Sequence, residues 1–208
     1  MRFLSLPARI QDLSSCDSRA KEAARSAKMV EGSLLENFKS RFPWLVAVLF
    51  GGLLAGSIMG RFQDMLESTL VLAFFIPVIM DMGGNVGTQA STIFVRGMGL
   101  GHIRLDQFGY HLRREALLGL CIGAISGLLA GLAAYLWQGE WIIGIVVFIS
   151  MTITCALASF IGYLIPCVMH LLGQDPATTA GPIVTTIKDI SGLLIYFSVA
   201  RILLELLL

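Results

Sequence analysis

GPIVTTIKDISGLLIYFS, residues 181–198, decides how the rest of this sequence is read. With its flanks the run is apolar and long enough to cross a bilayer, yet Asp189 stands well inside it. An ionisable side chain at that depth costs about 2.5–3.5 kcal/mol on insertion scales, so it needs a partner, a wet cavity or a task. Gly181, Thr185, Asp189, Gly192 and Tyr196 follow one another at steps of three and four, which puts them on one face of a helix. That face is polar or small. Ile183, Ile187, Ile190, Leu194 and Phe197 make the opposite side oily. A carboxylate, a hydroxyl and a carbonyl left open by glycine are oxygen ligands suited to a hard cation, so the face is predicted to line a cation path.

Working outward, the composition sets the class. Of 208 residues, 56% are apolar and 14% charged, far oilier than a soluble domain of this size requires. Several apolar runs of about 17–25 residues predict an all-α integral membrane protein set in the lipid bilayer. The first residues, MRFLSLPARIQDLSS, hold no apolar stretch of signal-peptide type, so no cleaved leader is expected. Cys16, Cys121, Cys155 and Cys167 are scattered without ligand spacing and read as reduced packing thiols. The net charge of +1 conceals an asymmetry: of fifteen Lys and Arg, eight precede the first span and four lie between the second and third. The positive-inside rule then predicts a multi-pass cell-membrane protein with a cytoplasmic N-terminus and, after five crossings, an extracytoplasmic C-terminus.

The chain divides at residue 43. Residues 1–43 form a cytoplasmic juxtamembrane segment with a basic helix over Asp17–Lys39, either resting on the membrane face or plugging the inner mouth; Ser33 and Glu36 suit a capping box. Pro43 is expected to end it before the interfacial Trp44. Residues 44–208 form the transmembrane domain, with spans at about 44–60, 62–80, 115–137, 141–170 and 182–207. In the first span Gly52, Gly56 and Gly60 offer a close-packing face; in the third, Gly119, Gly123, Gly127 and Gly131 repeat that ladder. Glu67, a turn or two inside the second span, reads equally as a snorkelling interfacial acid or as part of an outer ion mouth. Arg96, Arg104, Arg113, Arg114, His102 and His111 fall on a cytoplasmic stretch and read as surface residues. Ser150, Thr152, Thr154 and Ser159 can bond their own helix and receive no function. Asp175 before Pro176 reads first as a helix cap.

The densest signal is PVIMDMGGNVGTQAST, residues 77–92. Pro77 with Gly83 and Gly84 is expected to kink or unwind the helix where Asp81 enters. Beyond it Asn85, Thr88, Gln89 and Thr92 return at helical spacing as a second polar stripe. Broken helices near the bilayer midplane commonly expose backbone oxygens to ions. On these grounds alone, packing glue and ion site stay equally open. There is no GxxxxGK[ST] loop, and no nucleic-acid partner is expected.

That block, continued to Gly97 and followed by DPATTAGPIVTTIKDISGLLIYFSVARILLE from residue 175, resembles the membrane domain of the MgtE family of magnesium channels, related to solute carrier family 41. The likeness covers about residue 42 to the end. It implies five transmembrane helices per subunit and a homodimer whose Mg²⁺ pore lies at the subunit interface, between the second and fifth helices of both copies. Asp189 matches the family's pore aspartate, and Thr185 and Gly181 match neighbours whose oxygens help hold hydrated magnesium. With them Asp81 and Asn85 complete the candidate set, and the resemblance also offers Asp175 as a ligand for a regulatory Mg²⁺.

Three departures stand out. The N-terminal helical domain and paired CBS modules usual in the family are not encoded by residues 1–43, so gating is expected to differ or to come from a separate regulatory subunit. Gly181 stands where many members have Asn, leaving only a carbonyl ligand. Lys188 adjoins Asp189; being about 100° away on the helix, it is expected to snorkel to the cytoplasmic surface, the alternative being a pair with Asp189 that would repel cations or serve as a switch. The expected activity is voltage-driven Mg²⁺ entry, with coupled exchange against Na⁺ or H⁺ as the rival. Without an HExxH motif or nucleophile elbow, no enzyme is expected.

Overall fold

The computed structural model describes residues 30–207. Most of the basic helix expected over Asp17–Lys39, and Cys16 with it, lies outside the described residues. From Leu34 on, the described residues form α1 (Leu34–Arg61), the short α2 (Gln63–Ser68), α3 (Val71–Gly99), α4 (Phe108–Gln138), α5 (Trp141–Leu171) and α6 (Pro176–Leu207), with a 3₁₀ turn at Leu105–Gln107. α1, α3, α5 and the 3₁₀ turn running into α4 are long and apolar enough to cross a membrane. α6, with 32 residues, matches them in length.

Each helix boundary has a local cause. Ser33 and Glu36 form the capping box, but it opens α1 directly, and Pro43 lies inside that helix rather than ending it. A proline there forfeits the bond to the carbonyl four residues back, and the turns on either side of a long helix carry it past that one gap. Glu67 is exposed on α2, where its carboxylate accepts a hydrogen bond from Gln63 Nε2 at 2.7 Å. α4 stops at Gly139, whose φ of 75° a side chain would resist.

α5 is the centre of the bundle: α3, α4 and α6 all pack along it, while α1 leans on α6 from outside. The glycine ladder on α4 makes a close contact with α5. A Cβ at Gly123 would lie 2.8 Å from the Thr152 carbonyl oxygen, and one at Gly127 would lie 2.7 Å from that of Phe148. The backbones therefore touch, and Thr152 Oγ1 bonds both the Phe148 carbonyl (2.8 Å) and that of Gly123 across the interface (3.3 Å). Ser159 reaches across too, donating to the Glu115 carbonyl at 2.9 Å, instead of bonding its own helix. Ser150 Oγ and Thr154 Oγ1 are buried without a partner among the described residues. On α1 the expected ladder behaves otherwise: a Cβ at Gly52, Gly56 or Gly60 would meet nothing within 4 Å, and the helix docks through Gly51 and Ala55, one residue round.

Gly127→Leu should destabilise the bundle by about 3 kcal/mol, because the side chain can enter only by separating two backbones. Gly109→Leu, on the same helix with open space before it, is the matched control. Detergent-solubilised melting curves check this; equal melting temperatures would contradict the close contact.

Candidate functional site

α3 and α6 meet along α5, and their contact brings the chemically distinctive residues together. α3 is one continuous helix from Val71 to Gly99, so the expected unwinding at Pro77, Gly83 and Gly84 does not occur. The glycines serve packing instead. A Cβ on Gly83 would press on Thr154 Cγ2 at 3.0 Å, and one on Gly84 would sit 3.0 Å from the Lys188 ammonium. They leave a slot in α3 into which α6 inserts Lys188.

Lys188 corrects another expectation. It does not snorkel; it is 6% exposed. Its Nζ donates to the Met80 carbonyl at 3.1 Å and pairs with Asp189 Oδ1 at 2.6 Å. Although neighbours on a helix diverge by about 100°, a four-carbon stem is long enough to swing back. In a medium of low polarity a carboxylate and a carbonyl hold the ammonium in place of bulk solvent. Asp189 itself keeps a side chain 32% exposed, so one side of the pair stays open.

The polar face read on α6 divides. Gly181 is exposed, with open space where a Cβ would stand, and Thr185 is half-buried. Gly192 and Tyr196 turn inward: Gly192 packs on Thr154 and Met80, and the Tyr196 hydroxyl donates to the Leu72 carbonyl at 2.8 Å. Tyr196 thus ties α6 to the start of α3 and belongs to the core, not to an open path. Phe197 beside it stacks on Phe62 at 4.7 Å.

α3 shows the complementary feature. Asp81, Asn85, Thr88, Gln89 and Thr92 are all exposed or half-buried and share one face. Asn85 Nδ2 donates to Asp81 Oδ2 at 3.1 Å, and Thr92 Oγ1 bonds the Thr88 carbonyl at 2.8 Å. Toward the C-terminal end of α3 a groove of about 390 Å³ opens, lined by Thr88, Ser91 and Thr92 on one side and Pro176, Ala177 and Gly181 on the other. Asp175 caps α6 beside it, Oδ1 accepting from the Ala177 N–H at 3.1 Å, with Pro176 at the first helical position. Of the candidates, Asp175, Gly181, Thr185 and Asp189 lie in order along α6, and Asp81 with Asn85 follows Met80 on α3, whose carbonyl holds the lysine beside Asp189. Among the described residues no three His, Cys, Asp or Glu converge as a metal cage. The Met80 carbonyl escapes a reading of residues alone, because a backbone acceptor has no residue-type signature.

Long apolar helices around a buried central one, with oxygen-bearing groups on two of them, define a multi-pass helical membrane protein. Residues 76–199 match the family model for MgtE, described as a divalent cation transporter, and the chain belongs to that family. Over 160 residues, 77% of the chain and 36% of the relative, it is 38% identical to a Bacillus subtilis protein named magnesium transporter MgtE. Proteins of the same name from Enterococcus faecalis and Thermus thermophilus are 34% and 36% identical over 82% and 80% of the chain. The chain spans 36–38% of the length of these curated relatives.

Proposed function

We propose that this chain carries Mg²⁺ across the membrane, driven by the membrane potential, through a pore that two copies complete. The observation that supports this most is the open polar face of α3 from Asp81 to Thr92, in the body of a helix long and apolar enough to span. Against hydrocarbon such a face would be costly, so it is expected to border water or protein. The half-open Asp189 carboxylate on the neighbouring helix adds the charge that a cation needs.

Mg²⁺ sheds its water reluctantly and is commonly held with several waters in place by one or two carboxylates. One subunit offers Asp189 and Asp81 without a closed cage among the described residues, whereas two Asp189 side chains facing each other across an axis would grip the hydrated ion. In this reading α6 is the fifth crossing and the residues before α1 lie in the cytoplasm. The names borne by the relatives agree with Mg²⁺ as the substrate.

Proteoliposomes holding the purified chain should take up Mg²⁺ when an inside-negative potential is imposed. The potential supplies about 4.6 kcal/mol per divalent ion per 100 mV. At zero voltage, a Na⁺ or pH gradient should add nothing. Uptake driven by either gradient would replace the channel with a coupled exchanger.

A further inference from the structure

α3 and α4 scarcely touch each other, although both pack on α5. Between them opens a cavity of about 810 Å³, floored by Tyr163 of α5. Its ends differ in chemistry. Arg96 on α3 and Arg114 on α4, with His102 and His111, line it toward the helix ends. Ile93, Leu117, Leu118 and Cys121 line the rest, with Leu118 and Cys121 one and two turns deeper along α4. The apolar side is open, with Ile93, Leu117 and Leu118 exposed.

The polar groups are unspent. Arg96 and Arg114 are exposed and neither has an ion-pair partner among the described residues, whereas nearby Arg104 pairs with Asp106 at 3.2 Å. Tyr163 is 2% exposed, held by Phe94 and Phe108, and its hydroxyl makes no hydrogen bond among the described residues. The single acid of the lining, Glu115, accepts from Ser159 Oγ at 3.3 Å. Two arginines against one acid leave this end positive.

We propose that this cavity is a binding site for an anionic glycerophospholipid of the bilayer. Charge complementarity selects that occupant: the phosphate lies between Arg96 and Arg114, the acyl chains run past Leu117 and Leu118, and the Tyr163 hydroxyl donates to a glycerol ester or phosphate oxygen. A zwitterionic lipid brings its own cation against the arginines and fits less well. Arginines fork onto phosphate, and basic pockets between transmembrane helices recognise such headgroups by the same electrostatics. The histidines that look isolated in sequence become rim residues of one site. Nothing here depends on the ion carried.

The test is native mass spectrometry of the full chain released from micelles holding phosphatidylglycerol or phosphatidylcholine with identical acyl chains. The wild-type chain should retain phosphatidylglycerol preferentially. Arg96→Gln and Arg114→Gln should each weaken that retention by roughly fivefold. Arg113→Gln, exposed but outside the cavity, should leave it unchanged. Leu118→Trp, which fills the apolar end, should reduce retention of both lipids. Equal retention of the two lipids by the wild-type chain would overturn the proposal. So would a preference that survives in both arginine variants, or one abolished by millimolar inorganic phosphate, which would mark a simple anion site. Both arginines are exposed, so melting curves should match the wild type; if one variant failed to fold, the other would still decide.

Discussion

Asp189→Asn is expected to lower voltage-driven Mg²⁺ flux by about 100-fold while leaving the fold intact. The size follows from Coulomb's law. A divalent ion about 5 Å from one carboxylate gains about 6–7 kcal/mol at an effective dielectric constant of 20, and water in an open pore removes roughly half of that. Losing the remaining ~3 kcal/mol corresponds to about two orders of magnitude. Asparagine keeps the shape and an oxygen but not the charge, so the loss would belong to electrostatics rather than packing. It also leaves Lys188 its contact with the Met80 carbonyl, which should limit the structural cost. Asp81→Asn should cost less, because Asp81 shares its carboxylate with Asn85 on an exposed turn. Flux measured in proteoliposomes beside a melting curve separates the cases. Undiminished flux in a folded Asp189→Asn protein would remove Asp189 from the pore.

Local chemistry makes much of this molecule legible. The α4 ladder from Gly119 to Gly131 predicts a backbone contact, and the bundle has one, because a four-residue repeat of glycine lets two helices in lipid approach closely. Asp175 before Pro176 predicts a cap, and its carboxylate makes the capping bond. What escapes depends on which helix stands opposite. Periodicity groups Gly192 and Tyr196 with Asp189, but it cannot tell that α3 closes over the first two and leaves the third open. Gly83 and Gly84 carry the signature of a broken helix; only the arrival of Lys188 from 104 residues downstream of Gly84 shows them as its slot. Pro77 leaves α3 unbroken for a related reason, since a helix of 29 residues tolerates one missing bond when its neighbours hold it. The face from Asp81 to Thr92 is visible in sequence as a stripe, and its meaning comes from remaining uncovered once every other described helix has been packed.

Lys188→Gln is expected to lower the Mg²⁺ concentration for half-maximal flux by about tenfold and to slow the maximal rate. The lysine ammonium stands 2.6 Å from Asp189 Oδ1 and is nearly sealed from solvent, so it offsets the carboxylate that would attract the ion. An arriving divalent cation must compete with a cation already tethered beside the site. Removing that competitor strengthens binding, and an ion held more tightly leaves more slowly, the compromise that any conducting site has to strike. Glutamine is the informative replacement because its amide can still donate toward the Met80 carbonyl while carrying no charge. Lys188→Met would lose the bond from α6 to that carbonyl, which keeps its partner within α3, at about 0.5–1.5 kcal/mol of stability, so its melting temperature should fall where that of the glutamine variant holds. Lys188→Arg should keep the wild-type half-saturation if charge alone matters. The slot formed by Gly83 and Gly84 is fitted to a slender stem, however, and the broader guanidinium should lower the melting temperature. Half-saturation unchanged in a stable Lys188→Gln protein would make the lysine a structural tie between α3 and α6 and nothing more. A tenfold shift would make it the residue that sets how loosely this site holds its ion.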